Sequence, residues 1–134
     1  MYDRFEDFHF AGPAPVGEIE SLERSFGISF PADYLSFLRE RNGGEGFIGP
    51  HYLILWSASE LPIFNREYEF PEYAPSMIAF GSTGGGEAFA FDKRSSPFPV
   101  AMVPFIGMSD DDAIRVADGF DHLLDRMASV DSLF

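Results

Sequence analysis

From Pro31 to Gly44 the chain carries a start signal, an apolar stripe and a stop signal in one stretch, P-A-D-Y-L-S-F-L-R-E-R-N-G-G. Proline has no N–H to lose in the first turn of a helix and its φ is already helical, so Pro31 suits a first helical position. Asp33 complements the positive end of the helix dipole. Tyr34, Leu35, Phe37 and Leu38 form a stripe to be buried, Arg39 and Arg41 suit the C-terminal end, and Asn42-Gly43-Gly44 ends the helix. A helix bounded this tightly must lay its stripe on something else.

The neighbouring segments supply the partners. Ile19, Leu22 and Phe26 recur at helical spacing between about Pro15 and Phe26, Glu20 and Arg24 form an i, i+4 pair, and Gly27 stands where a left-handed residue stops the helix. Ahead of it, Tyr2, Phe5 and Phe8 are spaced as on a helix, whereas Phe8 and Phe10 alternate as on a strand. Residues 47–57 read as one strand, with Tyr52 to Trp56 apolar on both faces, as in a covered central strand. Ser57-x-x-Glu60 matches a capping box for a short helix to about Tyr68, although Ser59 as cap suits Pro62 better. Pro71 and Pro75 frame a loop. Strands are expected at 77–80, 87–92, 100–106 and 113–117, and Asp118 is expected to cap a last helix carrying Phe120, Leu123, Leu124 and Met127. The order predicts a single α+β domain over residues 1–134. Its sheet is mixed but mainly antiparallel, flanked by N-terminal helices and a C-terminal helix.

Composition narrows the functions. A chain of 134 residues can bury roughly 68% of its unfolded surface, so it needs no staples. It has no cysteine, which removes disulfides, thiolate metal sites and a cysteine nucleophile. No apolar run approaches a membrane span and the N-terminus lacks signal-peptide character, so a cytoplasmic location is expected. Nine basic residues against twenty-two acidic ones give a net charge of −13, which repels phosphate backbones and anionic lipid; on charge alone it reads first as solubility and second as suited to a basic partner.

The run G-S-T-G-G-G-E-A-F-A-F-D, 81–92, has the glycine spacing of a phosphate-binding loop in Gly81 and Gly86. Glu87 and Ala88 nevertheless stand where lysine and a hydroxyl should be, and an alternating strand follows instead of a helix. A hairpin turn is the expected structure. His9, His51 and His122 are scattered, and Asp110-Asp111-Asp112 lacks the alternate spacing, glycine and closing glutamate of a calcium loop. No G-x-S-x-G elbow occurs, and no catalytic residue, cofactor or metal is assigned. Residues 110–131 hold seven aspartates against two arginines, which marks a candidate interface. Trp56, the only tryptophan, reads as core or sheet-edge packing rather than a stacking platform.

The block F-P-A-D-Y-L-S-F-L followed by N-G-G, behind a helix carrying Ile19 and Glu23, resembles the SUKH superfamily of Smi–Knr type. Phe30 stands where that pattern usually has leucine. Gly86 to Asp92 resembles the family's glycine turn and aromatic strand ending in aspartate, and 118–124 resembles its closing helix. The resemblance covers about 15–127; the triple glycine and Asp110–Asp112 lie outside it. It implies an α+β domain without catalytic residues and, in bacteria, an immunity protein that silences a cognate toxin, often a nuclease. Its motif residues Pro31, Tyr34, Leu38, Asn42, Gly43, Gly44, Gly86 and Asp92 are expected to hold the fold. Partner contacts are expected among Asp110, Asp111, Asp112, Glu87, Glu45 and Trp56, in a monomer or weak homodimer. The alternative is a small-ligand or regulatory adaptor domain, with a cleft lined by some of Tyr52, Trp56, Tyr68 and Tyr73. A hydrolase using two acids ranks behind both.

Overall fold

The computed structural model describes residues 5–134. Along the chain come β1 (Phe8–Phe10), α1 (Glu18–Phe26), α2 (Ala32–Glu40), β2 (Gly44–Ile48), β3 (His51–Leu55), α3 (Glu60–Glu67) and α4 (Phe70–Tyr73). They are followed by β4 (Met77–Ser82), β5 (Glu87–Asp92), β6 (Val100–Pro104), β7 (Ile114–Ala117) and α5 (Phe120–Ser129). The strands lie in one sheet in sequence order, β1 to β7. This is the expected α+β architecture, except that every pairing among the described residues is antiparallel, so the sheet is not mixed. A parallel neighbour needs a crossover of a dozen residues or more, and here the insertions return each strand beside its predecessor. No helix among the described residues is long and apolar enough to cross a membrane.

One face of the sheet receives α2 and α5. The Tyr34 ring lies 5.0 Å from Phe91, 5.1 Å from Phe120 and 5.6 Å from Phe80, and Phe37 lies 5.1 Å from Phe120. Phe80, Phe89, Phe91 and Phe120 are fully buried. Each such ring contributes roughly 2 kcal/mol by burial, against a few tenths for a surface charge pair on a helix. The aromatic layer, not helix propensity, therefore fixes where α2 and α5 sit.

Between β3 and β4 the sheet opens. These strands pair only at Ile54–Ser82 and Leu55–Gly81, and β4 bulges between Ala79 and Gly81. The α3 side chain Asn65 fills the gap: its amide donates to the Ala79 carbonyl at 2.8 Å and its oxygen accepts the Ala79 N–H at 2.9 Å. A buried amide thus does for β4 what the next strand residue would have done.

Several expectations at the level of single elements change. Residues 47–57 are not one strand; β2 and β3 form a hairpin that turns at Gly49-Pro50, so Phe47 faces Tyr52. Pro31 stands just outside α2, with φ −57° and ψ 143°, rather than at its first position. Asp118 does not cap α5: its own N–H donates to His122 Nδ1. The capping carboxylate comes from α2, where Asp33 Oδ2 accepts the Asp121 N–H at 3.0 Å. Strand β4 runs on to Ser82, β6 stops at Pro104, and the expected loop framed by Pro71 and Pro75 begins inside the short helix α4. At the N-terminus the alternating reading holds, since Phe8–Phe10 is a strand; Tyr2 lies outside the described residues.

Candidate functional site

The features that bring the site together start at Asn42-Gly43-Gly44. Asn42 donates to Glu18 Oε2 at 3.1 Å and accepts the Ala58 N–H at 2.8 Å, so it links α1 to the start of the α3 segment. Gly43 has φ 93°, and a Cβ there would stand 2.6 Å from the Leu55 carbonyl oxygen. Only glycine lets the chain pass this close to the end of β3. Glu23 accepts the Phe30 N–H at 2.8 Å and closes the turn between α1 and α2. These residues place α3 over the gap after Leu55 and aim its aromatic side chains at Trp56.

On the sheet face away from Tyr34, His9, Glu45, Ile54 and Ser82 lie side by side across β1 to β4. Trp56 follows β3 and meets two rings of the α3 segment, Phe64 at 5.0 Å and Tyr68 at 6.2 Å with planes 10° apart. Tyr68 in turn lies 4.4 Å from Phe105, in the loop after β6. A cavity of about 470 Å³ opens among Ile54, Trp56, Phe64, Tyr68, Phe105, Ile106 and the tip Gly84–Gly86. A second cavity of about 700 Å³ shares Ile54, Trp56 and Phe64 with it and runs on past Glu60 to Glu45 and His9. Together they form one groove. Tyr68 is 46% exposed and Ile106 94%, and both line the smaller cavity. Large apolar side chains left open together on a folded surface commonly mark a contact site.

The groove contains carboxylates and no Lys or Arg among its lining residues. Glu60 Oε1 accepts the Ser57 N–H at 2.9 Å, the half of the capping box that reaches back from the helix. Glu45 accepts a hydrogen bond from the Tyr52 hydroxyl, and that bond holds the phenol protonated above its ordinary range. The glycine-rich turn is a β4–β5 hairpin, as expected. Two of its amides are bonded within the turn: Gly84 N–H donates to Ser82 Oγ and Gly85 N–H to Thr83 Oγ1.

The expected contact residues therefore divide. Glu45 and Trp56 line the groove, and Glu87 stands exposed on the hairpin that closes one end, its carboxylate accepting the Thr83 hydroxyl at 3.0 Å. Asp110 is elsewhere and partly structural, since it accepts the Ser76 N–H at 3.1 Å; Asp111 and Asp112 are exposed beside it. Tyr73 is exposed and does not line the groove. Of the motif residues, Tyr34 and Leu38 are in the core, Gly86 accepts the Phe105 N–H, and Asp92 binds Arg94 at 3.0 Å. Burial weighs against charge on Asp92, but the Arg94 guanidinium and N–H prevail and hold its carboxyl below the ordinary value. Sequence reading missed Ile54, Phe64, Phe105 and Ile106, which come from separate segments and share no spacing. No group of three or more His, Asp or Glu side chains among the described residues is placed to hold a metal ion.

Fold and groove define a small α+β domain built on an antiparallel meander, with helices inserted before β2, between β3 and β4 and after β7. Residues 13–126 match the SMI1 / KNR4 family (SUKH-1), and the chain belongs to that family. It is also 31% identical over 125 residues to a Bacillus subtilis (strain 168) protein described as uncharacterized protein YnaB, over 92% of this chain and 82% of that one.

Proposed function

We propose that this chain is a non-catalytic protein-binding domain of immunity type, which neutralises a basic toxin domain such as a nuclease. Membership of the SUKH family supports a protein partner. The observation that carries the basic character of that partner is the charge of −13 combined with a groove whose lining has carboxylates and no Lys or Arg. Opposite fields accelerate encounter, and acidic side chains can take the place of the phosphates a nuclease would hold. Co-expression with a toxin domain encoded beside the gene should restore growth, and the purified pair should associate more slowly as salt rises. A pair that associates independently of salt removes the electrostatic basis, and failure to protect against any neighbouring toxin removes the reading. Alanine at Asp110, Asp111 and Asp112, compared with alanine at Glu18 and Glu20, tests whether the acidic loop takes part.

The groove also favours a second reading, a domain that binds a small ligand. Its 470 Å³ cavity lies within the range of ligand sites and is mostly apolar. A ligand held there at a hundredfold its dissociation constant would stabilise the fold by about 2.7 kcal/mol, so a thermal-shift screen that finds no stabilisation by metabolites counts against it.

A further inference from the structure

We infer that the groove between α3 and the Gly84–Gly86 hairpin is the docking site for a cationic segment of a protein partner, with an arginine side chain laid against Tyr68 and Phe105. This rests on the protein-binding reading above and adds where and what it binds. The rings meet the geometric need: Tyr68 is stacked on Trp56 from one side, approaches Phe105 at 4.4 Å, and remains 46% exposed. A guanidinium gains from such a ring face because its plane matches the π surface and it is weakly hydrated. The protein already makes this contact within its own chain, with the Arg41 guanidinium 4.2 Å from the centre of the Phe10 ring.

Charge selects the occupant. Along the groove, past Trp56 and Phe64, come the carboxylates Glu60 and Glu45, with the His9 imidazole paired across the strands from Glu45 and no Lys or Arg among the lining residues. An arginine on the rings with a second cation over these carboxylates is complementary at both ends. A nucleic acid would bring phosphates to carboxylates, and a second copy of this chain would bring its own net charge of −13. The hairpin tip suits close approach of a partner backbone, since Gly85 and Gly86 present no side chain there.

Trp56 is the only tryptophan and forms part of the groove, so its emission reports occupancy directly. The probe is a short peptide alternating arginine with leucine, compared with versions carrying lysine or glutamate in place of arginine. The arginine peptide should shift the Trp56 emission with saturation, the lysine peptide should bind more weakly, and the glutamate peptide should not bind. Tyr68→Ala should weaken the arginine peptide about tenfold. Asp111→Asn with Asp112→Asn, which removes two charges elsewhere, should leave it within about twofold. Urea unfolding of each variant separates lost binding from lost fold. The inference is overturned if Trp56 emission does not respond, if Tyr68→Ala binds normally, or if the aspartate pair matters as much as Tyr68. If Tyr68→Ala still neutralises a toxin that the parent neutralises, the groove assignment falls and the immunity reading stands. If the peptide binds as described but no toxin is neutralised, the reverse holds.

Discussion

Tyr34 shows how a single atom can run against the rest of its side chain. Its ring is at the centre of the aromatic layer, yet its hydroxyl is buried with no hydrogen-bond partner among the described residues. Burial pushes the phenol pKa far above the ordinary value of 10.0. Tyr34→Phe should therefore keep the fold and raise stability by up to about 1 kcal/mol in urea titration, whereas Tyr34→Ala should cost about 3–5 kcal/mol. The pH dependence has a definite sign. A pKa raised by folding means the unfolded chain loses its proton first, so the contribution is intact below about pH 10 and is lost as pH rises above it. Tyr34→Phe should lose less stability than the parent between pH 9 and about 11. Gly43 provides the opposite kind of test, with nothing to delete and no room to add. Gly43→Ala combines a left-handed φ of 93° with a clash against the Leu55 carbonyl, and should cost more than about 1 kcal/mol.

At the scale of elements, two polar side chains join parts that the sequence leaves separate. Asn65 satisfies both backbone groups of Ala79, so Asn65→Leu should leave a buried N–H and C=O unpaired and cost about 2–5 kcal/mol in urea unfolding. Asp33 belongs to α2 but accepts the Asp121 N–H of α5, and Asp33→Ala should cost about 1 kcal/mol, as for a lost cap. Neither bond was legible beforehand, because capping rules look one turn along the chain and Asp33 and Asp121 are 88 residues apart. What was legible is local: Gly27 ends α1 with φ 66° and donates to the Glu23 carbonyl, and the alternating phenylalanines of β5 follow a hairpin. The β2–β3 turn was missed because Phe47 to Trp56 reads as one apolar run, although the Gly49-Pro50 dipeptide was the available signal. The groove shares that limit. Glu45 and Trp56 stand out in the sequence as single residues, but nothing in their spacing says that α3 and the loop after β6 converge on them.

For the molecule as a whole, the charge of −13 has two effects that salt separates by sign. Within the chain, like charges crowd as it folds, and added salt screens that repulsion. The thermal midpoint should rise from low to physiological ionic strength, by roughly 4 °C if the relief is about 1 kcal/mol. Between this chain and a basic partner the same screening weakens attraction, so the association rate should fall over the same range. Acid tests the folding effect independently. Lowering the pH from 7 removes negative charge and relieves repulsion, but Asp92 sets a limit. Its carboxyl is held below the ordinary value in the fold, so the stability it contributes is present above the unfolded pKa and lost as pH falls through the folded one. The midpoint should therefore pass through a maximum on the acid side of neutrality and fall below about pH 4. A midpoint indifferent to salt would mean that the acidic residues stand too far apart to repel within the fold. In that case only a falling association rate would still tie the charge to a partner.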